Sequence, residues 1–406
     1  MNKKNIIYTG AFRFPLGDAA ASRVLNNAKI LKALGYNVIF ISWGGDSREE
    51  DRCIDGYFYY QGFRYINSHD IDTKQANLIK RVYNFLFYGQ KSLIIIEQLI
   101  QNTAFVIGYN PPMIFTISIT KLCNSNNIPY ISDITEWYNA NEFPGGKFAF
   151  PAWINELNMR VTQRFVKNKI VISSFLDDYY NSSNNIILPP LVDKKESKWK
   201  EKQLSLSSFE GVRLIYAGSP AQKDLLHVML DAVIKCIKKN IKLQFVIVGV
   251  SKENISHYAS YYGIQSFSSN ILLCGRVHQT EVPAYYNSSD FSIIIRENTK
   301  KCKAGFPSKL AESMMSGCPV LLNYTSDISE YVRHGYNGYV VSDCSSIELQ
   351  KALLYIATLS QETKKIMKNN ANICAIEKFD YSNYIVKMAN FIKKITNTTT
   401  TNCSNN

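Results

Sequence analysis

Short apolar runs alternate with amphipathic stretches through the N-terminal half of the chain. The run NIIYTG is followed by a loop, by the amphipathic stretch SRVLNNAKILKALGY and by a second apolar run, NVIFISW. Apolar positions with a helical period predict a helix, and short continuous runs predict strands buried on both faces. We therefore predict a strand, a helix and a parallel strand, and the same pattern continues in FVIGYN, PYISDI, KIVISS and NIILPPLV.

A second set of apolar runs follows a polar and charged segment around residues 194–208. Its predicted strands are VRLIYAG, LQFVIVGV, NILLCGRV, FSIIIR and residues 339–341, with LLHVMLDAVIKCIKK as an amphipathic helix. Repeated strand–helix alternation is typical of open, mostly parallel sheets that carry helices on both faces. The chain is therefore predicted to be α/β, with two doubly wound, Rossmann-like domains. In such sheets, ligands bind at the carboxyl ends of the strands.

One strand–loop–helix unit in the second half combines residues suited to a nucleotide diphosphate. After the run FSIII comes a charged loop, and Pro307 and Ser308 stand where a helix begins, since proline is tolerated in the first helical turn. Lys309 and Glu312 fall in the first turn of that helix, whose free N–H groups and dipole favour anions. A lysine there can hold a phosphate, and a carboxylate one turn on can accept two ribose hydroxyls.

This unit resembles the donor-sugar signature of the retaining glycosyltransferases of family 4, the glycosyl transferases group 1. The signature has two glutamates separated by seven residues and followed by a short segment that ends in Gly-x-Pro-Val. Glu312 takes the place of the second glutamate, the segment 313–320 follows as in the family, and Ala304 stands at the first glutamate's position. The segment IRENTKKCKAGFPSKLAES is similar to the corresponding segment of a family branch associated with capsular and exopolysaccharide assembly.

The resemblance implies the GT-B architecture, in which two doubly wound domains face each other across a cleft. We place the N-terminal, acceptor-side domain at 1–195 and the C-terminal, donor-side domain at 205–375, joined by a polar linker. A C-terminal helix over 376–394 is expected to pack back on the first domain. The tail 395–406 lacks core-forming residues and is expected to be disordered.

The resemblance also implies how the pyrophosphate is held. In the family, an arginine and a lysine shortly after the first strand of the second domain neutralise it. Lys223 matches the lysine, whereas Ser219, next to Gly218, stands where the arginine is expected. The second positive charge comes either from Arg296 or from Lys309 acting with Lys223. Arg296 and Glu297 would also take over part of the role of the first glutamate, whose position is occupied by Ala304. The rest of the donor loop would be formed by Gly305, Phe306, Pro307 and Ser308.

Two segments of the N-terminal half contain candidate sugar contacts. In the loop FRFPLGDAAASR, Gly17 would let a phosphate or sugar approach the backbone, and Asp18 either caps the following helix or binds sugar hydroxyls. Arg23, one turn further, either reaches the ligand or packs along the helix. In YISDITEWY, Asp133 is a candidate catalytic residue and Glu136 a candidate donor contact, and both lie beside an aromatic pair suited to stacking on a sugar ring.

Many family members have a histidine near the second of these segments, and this chain has none there. Retaining members of the family are thought to react on one face of the sugar, with the leaving phosphate accepting the acceptor's proton. The resemblance therefore implies that no protein base is needed. His278 is expected to be structural.

The composition limits which partners and which cellular location are expected for the chain. The formal net charge is +13, without an arginine-rich block or a recognised nucleic-acid module. The excess is either a solvated lysine-rich surface or a basic, aromatic-rich face of the N-terminal half that meets anionic lipid. The 9 cysteines form no Cys-x-x-Cys pair, no long uncharged apolar span is present and the N-terminus has no apolar signal region. We expect a cytoplasmic location, with peripheral attachment to the inner face of the plasma membrane as the alternative.

These patterns lead to one main functional hypothesis. The chain is expected to be a retaining, metal-independent glycosyltransferase of surface polysaccharide synthesis, using a nucleotide-diphosphate sugar as co-substrate and no other cofactor. The acceptor would be a glycan or a lipid-linked glycan, and nucleic acid is not an expected partner. Two alternatives remain open: a catalytically inactive nucleotide-sugar-binding subunit, motivated by Ala304 and Ser219, and a nucleotide-sugar epimerase on the same fold.

Overall fold

The computed structural model describes residues 5–45, 55–71, 87–143, 145–200, 204, 206, 209–219, 223–250 and 267–403, with side chains to residue 397. The chain divides into two compact units. The first comprises Met1–Leu191 with Tyr381–Asn406, and the second comprises Val192–Asp380. Each unit is built on one sheet of mainly parallel strands flanked by helices, so the predicted α/β class is confirmed.

The sheet of the first unit has the described strand order β3-β4-β2-β1-β5-β6-β7-β8. Its strands are parallel except for the β3–β4 hairpin. The strand bounds are β1 Asn5–Arg13, β2 Asn37–Gly44, β3 Phe58–Tyr60, β4 Phe63–Asn67, β5 Thr103–Tyr109, β6 Tyr130–Ile134, β7 Asn168–Val171 and β8 Asn185–Ile187.

The helices of the first unit cover both faces of this sheet. In chain order they are α1 Ala19–Ala33, α2 Gln90–Leu99, α3 Met113–Ser125, α4 Phe150–Leu157, α5 Gln163–Phe165 and α6 Ser174–Tyr180. A π-helical turn, Asn158–Thr162, joins α4 to α5. One face of the sheet packs on α2 and α3 around Trp43 and Phe115, and the other packs on α1 around Val24.

The second unit has a sheet of parallel strands in the described order β11-β10-β9-β12-β13-β14. These strands are β9 Val212–Ala217, β10 Leu243–Val248, β11 Ile271–Gly275, β12 Phe291–Ile294, β13 Val320–Asn323 and β14 Gly338–Val341. The helices are α7 Leu226–Lys238, α8 Val282–Asn287, α9 Lys300–Ala304, α10 Ser308–Met315, α11 Ser346–Ala357 and α12 Gln361–Phe379.

Both sheets have a topological switch point beside their first strand. β1 pairs with β2 on one side and with β5 on the other, and β9 likewise lies between β10 and β12. The chain therefore leaves β1 in one direction and β5 in the opposite one. The same holds for β9 and β12 in the second sheet. The loops that follow diverge and leave a crevice at the carboxyl ends of the two strands, which is where open α/β sheets bind ligands.

The C-terminal helix begins and ends later than predicted. The last helix, α13, runs over Ile385–Cys403, and its residues Met388, Phe391, Ile392 and Ile395 belong to the apolar core of the first unit. The expectation of a disordered tail from residue 395 is therefore wrong up to Cys403. Extending an existing helix costs far less than starting one, so a polar Thr-rich segment can continue it.

The boundaries of the second unit also differ from those predicted. Residues 194–200, predicted as linker, belong to the second unit, and Lys194 donates its backbone N–H to Asp380 at 3.0 Å. The chain leaves this unit after Asp380 rather than at residue 375. Two further elements lie where the sequence predicted none: the β3–β4 hairpin, and α9 within the loop after β12.

Candidate functional site

The switch point of the second unit brings together residues from three separate segments. Arg296 lies two residues beyond the end of β12, and Asp224 lies in the turn that leads from β9 to α7. These two residues form an isolated antiparallel bridge, and Leu225 donates its N–H to the carbonyl of Ile295 at 2.9 Å. Lys309 enters from the first turn of α10. The strand pairing that creates the crevice therefore also places these three charged side chains.

A single buried carboxylate connects the charged groups. Asp224 accepts from Arg296 Nε through Oδ1 at 2.6 Å and from the Tyr216 hydroxyl through Oδ2 at 2.8 Å. Lys309 Nζ donates to the same Oδ2 and, at 2.8 Å, to the Tyr216 hydroxyl. We refer to Tyr216, Asp224, Arg296 and Lys309 as the Asp224 cluster. With both cations and the carboxylate ionised, the cluster has one positive charge in excess.

The ionisation of the cluster follows from burial and from its internal charges. Burial alone would raise the pKa of Asp224, but Arg296 and Lys309 outweigh it and lower that pKa to about 2. Burial lowers the pKa of Lys309, and the nearby Arg296 adds to this while Asp224 opposes it. A negatively charged ligand would oppose that shift in the same way as Asp224, because an opposite charge favours the ionised form.

Gly218 and Gly249 create the space that the side chain of Lys309 occupies. Gly218 has φ +131°, and a Cβ there would lie 2.4 Å from Lys309 Cε. Gly249, with φ +89°, packs against the backbone of Gly218, where a Cβ would lie 3.1 Å from its Cα. Gly218 was predicted to contact the donor. In the structure, the absence of a side chain at Gly218 leaves the room that the side chain of Lys309 occupies.

The N-terminus of α10 supplies the second feature of this site. The helix begins at Ser308 with Pro307 as its N-cap residue, and no side chain caps it. Glu312 is therefore not part of a capping box. Glu312 is half-buried, and among the described residues no hydrogen bond to its carboxylate is formed. Burial raises the pKa of Glu312, with Lys198 and Lys309 opposing this.

Other residues predicted for the donor loop have different environments. Phe306 is buried, with its ring centroid 5.2 Å from that of Tyr331 and 6.1 Å from that of Phe379, so it is a core residue. Ala304 is fully buried at the end of α9, and Gly305 follows it as the C-cap. The expected donor contact through Phe306 does not fit this packing.

Three predicted residues lie at the periphery of the cluster. Glu297 and Ser219 are exposed. Lys223 is half-buried in the turn directly before Asp224, and α7 begins only at Leu226. The structure joins Arg296 to Lys309 through the carboxylate of Asp224, a pairing that differs from both predicted ones, since each of those included Lys223.

Asp224 and Tyr216 are the two residues of the cluster that were not predicted from the sequence, and Asp224 is the charged one. An aspartate just ahead of an amphipathic helix is usually an N-cap, and nothing local in AQKDLLH distinguishes the two roles. In the structure Asp224 does not cap α7, whose N-cap residue is Leu225. The available signal was its position next to Lys223 after the first strand of the second half.

The first unit has a cavity of about 610 Å³ at the carboxyl ends of β1 and β5. Its walls are mainly aromatic and aliphatic, with a few acidic and amide groups. The apolar side chains include Trp43, Tyr88, Tyr109, Met113, Ile134, Tyr138, Phe143, Ile154 and Met159, and the polar ones are Asp18, Asn110, Glu136, Glu142, Asn155, Asn158 and Gln163. Such a mixture suits a ring-shaped ligand with hydroxyl groups.

Asp18 and Gly17 have structural roles at the rim of this cavity. Asp18 caps α1: its Oδ1 accepts the N–H of Ala21 at 2.8 Å, and its Oδ2 accepts that of Arg13 at 3.2 Å. Burial raises the pKa of Asp18. A Cβ at Gly17 would lie 2.4 Å from Arg13 Cβ. The chain turns back against Arg13 at this point, and only glycine leaves enough room for that turn. The expectation that Gly17 lets a phosphate approach the backbone does not fit this geometry.

Asp133 is not at a ligand-accessible position. It is fully buried, and Arg23 Nη2 donates to its Oδ1 at 2.8 Å while the hydroxyl of Tyr8 donates to its Oδ2 at 2.5 Å. Arg23 also donates to the carbonyl of Leu188 at 3.0 Å. The predicted catalytic role of Asp133 is corrected to that of a buried ion pair, because burial and these donors occupy its carboxylate.

Glu136 is the acidic residue of the second predicted segment that does line the cavity. It is half-buried, and its negative charge adds to the effect of burial in raising the pKa of Tyr109. His278 lies elsewhere, exposed in the turn before α8, with Nδ1 2.7 Å from Thr280 Oγ1.

None of the helices within the described ranges is both long enough and apolar enough to cross a bilayer. Among the same residues, no group of three or more His, Cys, Asp or Glu side chains is arranged to hold a metal ion.

Comparison with known proteins agrees with this description. Residues 211–358, which lie in the second unit and include the Asp224 cluster and Glu312, match the family model described as glycosyl transferases group 1. No curated protein matches the chain.

Solved structures match nearly the whole chain. A glycosyltransferase from Rickettsia africae ESF-5 is 15% identical, with 97% of this chain and 99% of that one covered and a TM-score of 0.68. Sucrose-phosphate synthase from Thermosynechococcus elongatus is 12% identical, with 97% and 99% covered and a TM-score of 0.72. Anabaena HepE in complex with UDP and glucose is 14% identical, with 96% and 99% covered and a TM-score of 0.69. The chain thus has the fold of GT-B glycosyltransferase structures, and its second unit matches the group 1 family model.

Proposed function

We propose that this chain transfers a sugar from a nucleotide-diphosphate sugar to a glycan or lipid-linked glycan acceptor. The observation that carries the proposal is the Asp224 cluster, which has one positive charge in excess at the switch point of the second unit. The family match over residues 211–358 and the fold shared with nucleotide-bound glycosyltransferase structures support it. We further propose that transfer retains the anomeric configuration, needs no metal or cofactor and serves surface polysaccharide synthesis, as the resemblance to family 4 implies.

Lys309 and Arg296 would act on the departing diphosphate. In the transfer, the acceptor oxygen forms a bond to the anomeric carbon while the bond from that carbon to the phosphate oxygen breaks. Negative charge develops on the leaving phosphate, which takes up the acceptor's proton. Fixed positive charges in a site of low dielectric stabilise that charge without reorganising. Asp224 contributes by fixing both cations before the substrate arrives.

The N-terminus of α10 and Glu312 would hold the remainder of the nucleotide. The free N–H groups of the first helical turn are suited to a phosphate. Glu312 lies one turn from Lys309 and, when ionised, offers two oxygens to the two hydroxyls of a ribose. Its half-buried position keeps those oxygens poorly hydrated, which strengthens a hydrogen bond to a ligand.

The cavity of the first unit is proposed to bind a sugar ring of the substrates. Aromatic walls stack on the apolar face of a sugar, and Glu136 provides carboxylate oxygens for its hydroxyls. Asp133 is excluded from this role by its burial with Arg23.

An inactive nucleotide-sugar-binding subunit is the second candidate. Two observations favour it: Ala304, at the first glutamate's position, is fully buried, and Ser219, at the arginine's position, is exposed. The epimerase alternative needs a pair of carboxylates near the sugar, and the buried Asp133 removes one of them.

A donor screen separates these functions. The full chain is incubated with UDP-, GDP- and other nucleotide-diphosphate sugars, with and without glycan acceptors, and release of nucleoside diphosphate is measured beside its binding. Acceptor-dependent release that disappears in Lys309→Ala is expected. Binding without any transfer or hydrolysis would identify the inactive subunit, and the absence of nucleotide binding would contradict both.

A further inference from the structure

The segment from Phe148 to Phe165 exposes a row of large apolar side chains. Phe148 is 95% exposed, Trp153 67% and Phe165 79%. Phe150, Leu157 and Val161 are also exposed, so that apolar residues follow at spacings of three or four along α4, the π turn and α5. This spacing places side chains on one face of a helix. We refer to these six residues as the exposed apolar face.

Buried polar residues fix this orientation from the opposite side of the segment. Asn158 donates to the carbonyl of Pro111 at 3.0 Å, and Gln163 donates to Thr116 Oγ1 at 3.1 Å. Gln163 also accepts from the hydroxyl of Ser132 at 2.7 Å. The helical segment therefore buries amides and exposes aromatics, the reverse of a helix that faces water. Rotating the segment would leave these buried amides unpaired, so the apolar face is held outward.

Basic side chains surround this face. Lys147, Arg160, Arg164 and Lys167 are all exposed on the segment or at its ends. Glu156 is the acidic residue of 145–167, and its carboxylate is held by Arg160 at 2.6 Å and by Trp137 Nε1 at 2.8 Å. The rim of the exposed apolar face thus has excess positive charge.

We propose that the exposed apolar face docks on the surface of a bilayer that contains anionic phospholipid. Protruding aromatic side chains enter the boundary between headgroups and acyl chains, and lysine and arginine extend to the lipid phosphates. The four exposed basic side chains around the face, against one acidic side chain that is already paired with Arg160, favour an anionic surface as the partner. Positive charge around an apolar centre is complementary to anionic lipid in particular.

A shallow groove extends the same surface towards α3. It is lined by Ile117 and Lys121 of α3 and by Val161 and Phe165 of the segment. Ile117 and Lys121 are exposed, so the groove adds one apolar and one basic side chain to the proposed contact.

The segment also lines the cavity of the first unit through Ile154, Asn155 and Met159. Under the proposed function, on which this step alone rests, a lipid-linked acceptor in the bilayer would lie close to that cavity. Docking itself does not depend on the reaction, so vesicle binding and sugar transfer are tested separately.

Vesicle binding by the full chain is the test. Vesicles of phosphatidylcholine alone are compared with vesicles containing about 30% phosphatidylglycerol, by co-sedimentation and by tryptophan fluorescence. We expect binding to the anionic vesicles that weakens with added salt, and a blue shift of the emission that is lost in Trp153→Phe. Trp43 and Trp137 are already buried, and Trp199 is half-buried in the second unit, so these three contribute little to such a shift.

Surface variants locate the contact. The triple variant Phe148→Ser, Trp153→Ser, Phe165→Ser is expected to lower vesicle affinity by more than about tenfold. The reason is that the apolar area which each side chain would bury in the bilayer is lost. Ile347→Ser with Tyr355→Ser is the matched control, since these α11 residues are 65% and 53% exposed in the other unit. Arg164→Gln with Lys167→Gln should reduce the preference for anionic vesicles, whereas Lys351→Gln should not.

Three outcomes would overturn the proposal. The first is no binding to either vesicle, and the second is binding that the triple variant leaves unchanged. The third is self-association of the wild type, abolished in the triple variant and without vesicle binding, which would assign the face to a second copy of the chain. An unchanged far-UV circular dichroism spectrum and unchanged nucleoside-diphosphate binding in the triple variant show that it is folded.

Discussion

Arg296 donates from Nε to Oδ1 of Asp224 at 2.6 Å, and the two residues lie 72 positions apart in the chain. The contact joins the segment after β12 to the turn before α7, and Lys309 completes it from α10 on the second oxygen. The two cations and the carboxylate leave one positive charge for a ligand. The chemistry of the second unit therefore depends on how this one carboxylate holds two basic side chains.

Lys309→Ala is expected to abolish sugar transfer, with kcat/KM reduced by at least about 100-fold, because a fixed charge opposite the leaving phosphate is removed. The measurement is acceptor-dependent release of nucleoside diphosphate. Lys303→Ala is the control, since Lys303 is an exposed lysine of α9, six positions earlier. Equal losses in both variants would contradict a specific role for Lys309.

Asp224→Asn should destabilise the second unit while leaving its shape in place. Removing the charge of one buried partner leaves Arg296 and Lys309 without compensation, and we expect a loss of about 2 kcal/mol or more in the free energy of unfolding. An anion would restore part of it, so the thermal shift produced by nucleoside diphosphate should be larger in the variant than in the wild type. Equal shifts would count against the cluster as the anion site.

The same carboxylate predicts how stability changes in acid. The pKa of Asp224 lies at about 2 in the fold, below the ordinary 3.8. A carboxyl whose pKa is lowered by folding stabilises the fold above its unfolded pKa, and this stabilisation is lost as the pH falls through the folded pKa. Denaturant titrations should show the wild type losing about 2 kcal/mol between pH ~4 and ~2 through this group. In Asp224→Asn this loss should be absent, and a loss of the same size there would contradict the assignment.

Much of the fold of each unit could be predicted because buried parallel strands are continuous apolar runs. β1, β9 and β12 are of this kind, and the structure has strands at all three predicted places. The β3–β4 hairpin was missed because β3 has only three residues, all half-buried, and lacks a clear alternation. α9 was missed because five residues inside a charged loop give no amphipathic period.

The site was predictable only where a residue's role is local. Lys309 and Glu312 could be placed because both belong to one recognisable helix, although Glu312 lies beyond the first turn in which it was predicted. Asp224 and Asp133 could not be distinguished by sequence, since one pairs with residues 72 and 85 positions away and the other with a residue 110 positions away. Whether a carboxylate is a ligand contact or half of a buried ion pair depends on the strand order of its sheet.

Glu312→Gln is expected to raise the donor KM or lower kcat by more than tenfold, about 1.4 kcal/mol. Burial raises the pKa of Glu312 above its ordinary 4.5. Since only the ionised carboxylate accepts from both ribose hydroxyls, nucleoside-diphosphate affinity should increase as the pH rises through that raised pKa. Inorganic pyrophosphate has no ribose and should lack this dependence. Glu330→Gln, at an exposed position, is the control, and the same pH dependence for both ligands would refute the ribose role.

Asp133→Ala should act on stability and not on chemistry. Its removal leaves the buried guanidinium of Arg23 unpaired, which typically costs about 3–5 kcal/mol. We expect a lower unfolding temperature with kcat per folded molecule close to that of the wild type. Asp178→Ala, at an exposed position, should leave both unchanged. A stable Asp133→Ala protein with greatly reduced kcat would restore the sugar-contact hypothesis.

The Asp224 cluster is proposed to bind the diphosphate of the donor. A crystal structure of the full chain with bound nucleoside diphosphate tests it most directly. We expect a phosphate oxygen within about 3.2 Å of Lys309 Nζ and the ribose hydroxyls at the Glu312 carboxylate. A nucleotide bound away from both side chains would contradict it.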